Sequence, residues 1–195
     1  EEYKQLYVNF IKNLDNYDIA LALSSLEKFF WNFCDNYIEI VKRRLYNPDI
    51  YGKNGQESAQ YAVYIVLLGM LKMFSVFMPH LTEEIYQSYF AEKENCKSIH
   101  ISKYLNIGEN VDKALLKDGE LLTQIVSDIR GYKSENKISL KTIISKLDIT
   151  LDKNAIEFIK QNEADLLGVG GLQKINYIEG EYNLTFGEIV PDENN

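Results

Sequence analysis

The stretch LSSLEKFFWNFCDNYIEIVKRR, residues 23–44, decides the fold class. Leu23, Leu26, Phe30, Phe33, Tyr37 and Val41 recur at steps of three and four, the spacing that puts side chains on one face of an α-helix. No glycine or proline interrupts them. Lys42, Arg43 and Arg44 close the run, where the negative end of the helix dipole favours cations. Asn47-Pro48 then stops it, because the residue before a proline is pushed out of helical geometry.

Helical signals extend in both directions. Leu6, Phe10 and Leu14 form a face within Tyr3–Leu14, flanked by Tyr3 and Tyr7. The polar run Asn13 to Asp18 breaks that helix, and Asp18 suits an N-cap for the next. Tyr51 to Gly55 reads as a loop. A long apolar helix follows from Glu57 to Phe77, closed by Pro79. Thr82-Glu83-Glu84 reads as the cap and acidic first turn of a shorter helix reaching Phe90. These pieces form an antiparallel bundle with short connections. Residues 91–110 read as a polar strap with an extended piece at Ser98–Ser102, and Val111 to Tyr132 returns to helix.

Beyond Lys137 the pattern changes. Ile143 to Ile149 reads as a strand and Asp152 to Gln161 as a helix. Leu172–Glu179 and Tyr182–Val190 read as a hairpin turning at Glu179-Gly180-Glu181. Gly168-Val169-Gly170-Gly171 follows a helix and precedes a strand, the reverse of a nucleotide-binding loop, and reads as a helix C-cap. The expected fold is mainly α: a bundle with its strap over residues 1–108, then a linking helix and a small β-α-β-β subdomain over 109–195. The acidic tail, residues 191–195, is expected to fray.

The chain has 195 residues, 46% hydrophobic and 26% charged, with fourteen Tyr, nine Phe and one Trp. That composition is globular rather than disordered. The net charge of −8 argues against a generic nucleic-acid binder, since phosphate contacts need clustered Lys and Arg, but it leaves room for a local basic patch. Tyr61 to Met78 is the most membrane-like stretch. Lys72 near its middle and Pro79 at its end favour a buried bundle helix and no membrane partner. Cys34 and Cys96, the two cysteines, match no metal or disulfide spacing and read as reduced, buried hydrophobes. No signal peptide is expected at the charged start Glu1-Glu2-Tyr3-Lys4.

Catalytic groups are scarce. A Cys34–His80 nucleophile pair beside Asp35 competes with the plainer reading of Cys34 as an inert thiol in an aromatic helix. Glu83 and Glu84 point about 100° apart as neighbours on a helix, so they suit its first turn better than an acid/base pair. The two histidines, His80 and His100, ligate no metal by spacing. Two basic sets are more informative: Lys42, Arg43, Arg44 with Lys53, and Arg130, Lys133, Lys137, Lys141 with Lys146. Cations beside exposed rings are what unpaired RNA bases and their phosphates require, although solvated helix ends also account for such sets.

Four segments in order resemble the class I aminoacyl-tRNA synthetases for branched aliphatic amino acids, most closely the valyl enzymes. FFWNFCDNYIEIVKRRLYN at residues 29–47 is similar to the anticodon-domain helix, and FMPHLTEEIYQ at 77–87 to the Thr-Glu-Glu segment. KSIHISKYL at 97–105 resembles the following strap, with Leu105 in place of a usual proline. IVSDIRGYKSENKISLK at 125–141 resembles the next helix and its basic turn. The compact last subdomain resembles the archaeal-like branch.

The resemblance implies an intact enzyme that activates valine with ATP and magnesium, loads valine tRNA and edits misacylated threonine, because an apolar pocket rejects an isosteric hydroxyl analogue poorly. His-Ile-Gly-His and Lys-Met-Ser-Lys-Ser are not in this chain, so it is expected to grip the anticodon stem-loop without catalysis and without a cofactor of its own. The expected partners are valine tRNA and upstream catalytic and editing domains, in the cytoplasm. A family helix that would precede Glu1 implies an apolar groove prone to self-association. Phosphate and base contacts are expected from Lys42, Arg43, Arg44, Arg130, Lys133 and Lys137, with Tyr46 and Tyr51 as stacking candidates. Phe30, Trp31, Phe33 and Tyr37 are expected in the core. An isoleucyl or leucyl synthetase, or an acidic helical protein-interaction module, is the alternative.

Overall fold

The computed structural model describes residues 1–104 and 110–190. It divides into two compact units, Glu1–Asp35 with Asn47–Lys113, and Asn36–Tyr46 with Ala114–Asn195. The strap position Leu105 and the acidic tail, 191–195, lie outside the described residues.

In the first unit, α1 (Glu2–Asp15) buries Tyr3, Leu6 and Phe10 against α2 (Ile19–Asn32), which contributes Ala22 and Leu26. Asp18 occupies the N-cap as expected, although its side chain makes no capping bond. Next comes α4 (Pro48–Phe74), in which Pro48 sits in the first turn. The expected loop at Tyr51–Gly55 shrinks to one non-helical residue, Gly52, at φ 71° and ψ 159°. Glycine takes that conformation without a Cβ clash, so a kink suffices where a loop was expected.

The following helix, α5 (Pro79–Tyr89), starts four residues earlier than a cap at Thr82 would place it, with Met78 as the N-cap. Pro79 needs no hydrogen-bonded N–H in a first turn, so it opens the helix. Thr82 lies inside instead, its hydroxyl donating to the carbonyls of Met78 (2.9 Å) and Pro79 (3.2 Å). Leu68, Leu71, Tyr86, Phe90 and Ile99 close a core between α4, α5 and the strap. Ser98–Ser102 is not extended but a single 3₁₀ turn, Ile99–Ile101, capped by the Ser98 hydroxyl accepting from the His100 N–H. Glu83 holds that turn to α5 by accepting from the Ser98 hydroxyl (2.9 Å) and the Ile99 N–H (3.0 Å). Among the described residues no helix is long and apolar enough to cross a membrane.

Between α2 and α3 (Glu39–Tyr46) the backbone widens into a π-helical turn, Phe33–Ile38. Such a turn inserts an extra residue and rotates the buried face. Phe33 is buried at its start, Ile40 and Val41 after it. Trp31, expected in the core, is 61% exposed, with its edge against Phe30.

The second unit is built on α6 (Lys113–Glu135), whose Ile125, Val126 and Ile129 are buried. Strands β1 (Ile143–Ile144) and β2 (Leu147–Leu151) replace the single expected strand. Helix α7 (Lys153–Gln161) is capped by Asp152, whose carboxylate accepts from the N–H groups of Asn154 and Ala155, both at 3.0 Å. A further helix, α8 (Glu163–Gly170), ends on Gly171 in the left-handed region, φ 59°. That is the C-cap the glycine cluster predicts.

The expected hairpin does not form. Strands β3 (Ile175–Glu179) and β4 (Asn183–Phe186) flank β2 in the order β3-β2-β4, parallel and antiparallel to it. The alternating residues Leu147, Ile149 and Leu151 are buried, so the central place goes to the strand with the most to bury. A two-stranded sheet pairs β1 with β5 (Ile189–Val190). The mainly α fold with a small α/β subdomain stands.

Candidate nucleic-acid interface

The three cations at the end of helix α3 have different surroundings. Lys42 is exposed and pairs with Glu39, one turn back. Arg43 is exposed and lies flat on α8: an ideal Cβ at Gly168 would stand 2.3 Å from Arg43 Cδ. Only the bare backbone of Gly168 allows that approach. Arg44 reaches the start of the same helix. Its Nε donates to both carboxylate oxygens of Asp165, at 3.0 Å each, and Nη2 donates to Asn162 Oδ1 at 3.0 Å. Asp165 is 1% exposed, so Arg44 neutralises a buried carboxylate inside the second unit. Tyr46 ends the helix with 79% of its surface exposed.

On α6, Arg130 donates from Nη1 to Asn36 Oδ1 at 3.0 Å. Lys133 is buried, and its Nζ donates to the carbonyls of Leu140 (2.9 Å) and Thr142 (2.6 Å). Burial holds this ammonium below the usual lysine range. Lys133 therefore ties the chain after α6 to the helix. Lys137 follows the helix at φ 56°, with its side chain exposed. Lys141 is also exposed, while Lys146 pairs with Asp148 at 3.0 Å. In the first unit, Tyr51 is half-buried and Lys53 pairs with Glu57 at 3.5 Å.

The two basic sets meet. Lys42 and Arg43 from α3, Arg130 and Lys133 from α6, and Lys141 line one groove of about 640 Å³ in the second unit. Glu39, paired with Lys42, and Gln173 also line it, and much of the remaining wall is apolar: Ile129, Leu140, Ile143, Leu167, Val169 and Leu172. Arg44, Tyr46, Lys137 and Tyr51 do not line it. Sequence reading misses the apolar wall, because its residues come from three segments that only the fold assembles. The one signal for it is the glycine cluster at 168–171, which marks a place where other groups come close to backbone.

Burial, with Asp35 nearby, pushes the Cys34 thiol up, so it stays protonated at neutral pH. Among the described residues no three His, Cys, Asp or Glu side chains gather into a metal site.

The family described as "Anticodon-binding domain of tRNA ligase" matches residues 1–148. The chain belongs to that family. Among its relatives, the valine–tRNA ligase of Rickettsia felis is 36% identical over 166 residues, 84% of this chain and 18% of the relative. Valine–tRNA ligase of Rickettsia canadensis is 37% identical over 176 residues, 87% of this chain and 20% of the relative. That of Thermococcus kodakarensis is 31% identical over 175 residues, 89% and 19%. This anticodon-binding domain thus spans about a fifth of the length of these relatives. The family match covers the whole first unit, α3, α6 and the start of β2.

Proposed function

We propose that this chain is the part of a valine–tRNA ligase that holds the anticodon stem-loop of valine tRNA. The intact enzyme would join valine to that tRNA with ATP and magnesium, in the cytoplasm, through catalytic and editing domains elsewhere in the same polypeptide. This part contributes position: a stem-loop gripped here sets where the acceptor end arrives. The similarity to valine–tRNA ligases supports the amino acid. Convergence of Lys42, Arg43, Arg130 and Lys141 on one groove, in a chain of net charge −8, is the observation that carries the RNA-binding reading. An acidic body with one basic groove directs a polyanion to that groove and away from the rest of the surface.

Of the contacts expected from sequence, Lys42, Arg43 and Arg130 are proposed at the groove. Lys137 and Tyr46 are proposed as outlying contacts, Tyr46 by stacking on an exposed base. Arg44 is proposed as structural, and Lys133 as a buried tie between α6 and the following chain that also reaches the groove wall. Titration of the chain with transcribed valine tRNA, with and without anticodon changes, tests the reading by gel shift. Binding should depend on the anticodon and weaken as salt rises. Affinity equal to that for an unrelated tRNA would overturn it in favour of the protein-interaction reading.

A further inference from the structure

The groove of the second unit carries two surfaces that a duplex backbone would not use together. Phosphates require only the cations, of which Arg43, Arg130 and Lys141 stand beside a Lys42 that is paired with Glu39. A stacked helix hides its base faces, so an apolar wall beside those cations is wasted on it. An unstacked nucleotide has both a charged and an apolar side, and the volume of about 640 Å³ is within the roughly 300–1,000 Å³ of small-ligand sites.

Lys133 adds a polar group at the same place. An ammonium carries three N–H donors. Two of them serve the carbonyls of Leu140 and Thr142, and among the described residues the third meets no acceptor. The Nζ lies against Gly171, itself part of the groove wall: an ideal Cβ there would stand 3.0 Å from it. A buried donor left over at a groove wall is completed by whatever enters the groove.

We propose that this groove receives one unpaired nucleotide of the bound RNA loop, its base on the Leu167–Leu172 wall and its acceptor edge toward Lys133 Nζ. The flanking phosphates then lie on Arg43 and Arg130. This rests on the tRNA-binding reading and deepens it: the groove takes a base, not merely charge.

The test is a double-mutant cycle between RNA and protein. A synthetic anticodon stem-loop of valine tRNA is made with an abasic residue at each unpaired loop position in turn, which removes the base and keeps the phosphate. Each is titrated against the 195-residue chain and against Ile143→Asp, which places a carboxylate on the groove wall from a site already 40% exposed. One loop position should lose about tenfold in affinity with the unaltered chain, the scale of one buried apolar group. The same position should lose less than about twofold with Ile143→Asp, because the base is already excluded. Leu140→Asp, from a wall residue 58% exposed, should repeat the result. Equal losses at every position in all three proteins would overturn the proposal while leaving RNA binding intact. If the unaltered chain binds the stem-loop no better than a scrambled hairpin, the tRNA reading fails first and the nucleotide site with it.

Discussion

Arg44 and Asp165 stand 121 residues apart in sequence and form a two-oxygen ion pair, Nε lying 3.0 Å from each carboxylate oxygen. The carboxylate is buried and the guanidinium is about a quarter exposed, so the arginine supplies what water cannot reach. Removing one member of such a pair is costly because the other is left charged in a dry site. Arg44→Ala should destabilise the second unit by about 2–4 kcal/mol, measured by urea denaturation. The still-folded variant should keep its salt dependence of RNA binding. A stable variant that binds RNA weakly would return Arg44 to the contact surface.

Arg43 and Lys141 have the opposite profile. Both line the groove and both are exposed. Each neutralised phosphate contributes about one unit to the slope of log affinity against log salt. Arg43→Ala and Lys141→Ala should each lower that slope by about one and weaken binding several-fold across tRNAs, with little change in unfolding temperature. An unchanged slope in both would remove the groove from the phosphate path.

Trp31 and Phe33, two residues apart, should respond very differently to truncation. Phe33 is 4% exposed and Trp31 is 61% exposed. Phe33→Ala leaves a cavity and should cost about 3–5 kcal/mol. Trp31→Ala should stay within about 1 kcal/mol. Thermal or urea unfolding of the two variants decides it, and a comparable loss for both would place the indole in the core after all.

The strap should come loose in acid. Burial opposes ionisation of Glu83, but hydrogen bonds from Gln87, Ser98 and the Ile99 N–H outweigh it and hold the carboxyl below its ordinary value of 4.5. A depressed carboxyl stabilises the fold fully above that ordinary value and loses its contribution as pH falls through the lower folded value. Stability should therefore decline as pH falls below the ordinary value of 4.5, and less steeply in Glu83→Gln. Parallel pH profiles for the two proteins would show that Glu83 carries none of the decline.

Helices were readable from this sequence because their periodicity is local. Leu6, Phe10 and Leu26 announce a face within a few residues, and Asp152 and Gly171 mark ends by their own chemistry. What escaped depends on partners far along the chain. Arg43 and Arg44 look alike in sequence, yet helical geometry turns one to the groove and the other to Asp165. Lys133 reads as one more cation in a basic run, and only the returning carbonyls of Leu140 and Thr142 make it internal. The strands β3 and β4 look the same whether they pair with each other or flank a third. Even the π turn at Phe33–Ile38 leaves no composition signal, though it decides which aromatic rings face inward.

The interleaving of the second unit, with Asn36–Tyr46 stitched to a segment that starts at Ala114, carries a consequence for synthesis. At bacterial or eukaryotic elongation rates of about 5–20 residues per second, Arg44 leaves the ribosome on the order of ten seconds before Asp165 is made. Throughout that interval the basic end of α3 is a nascent-chain segment without its mate. The same stitching forbids dissection: a clone starting at Ala114 would carry a buried aspartate with nothing to neutralise it. Any minimal version of this unit has to be made by circular permutation or by supplying α3 as a separate peptide.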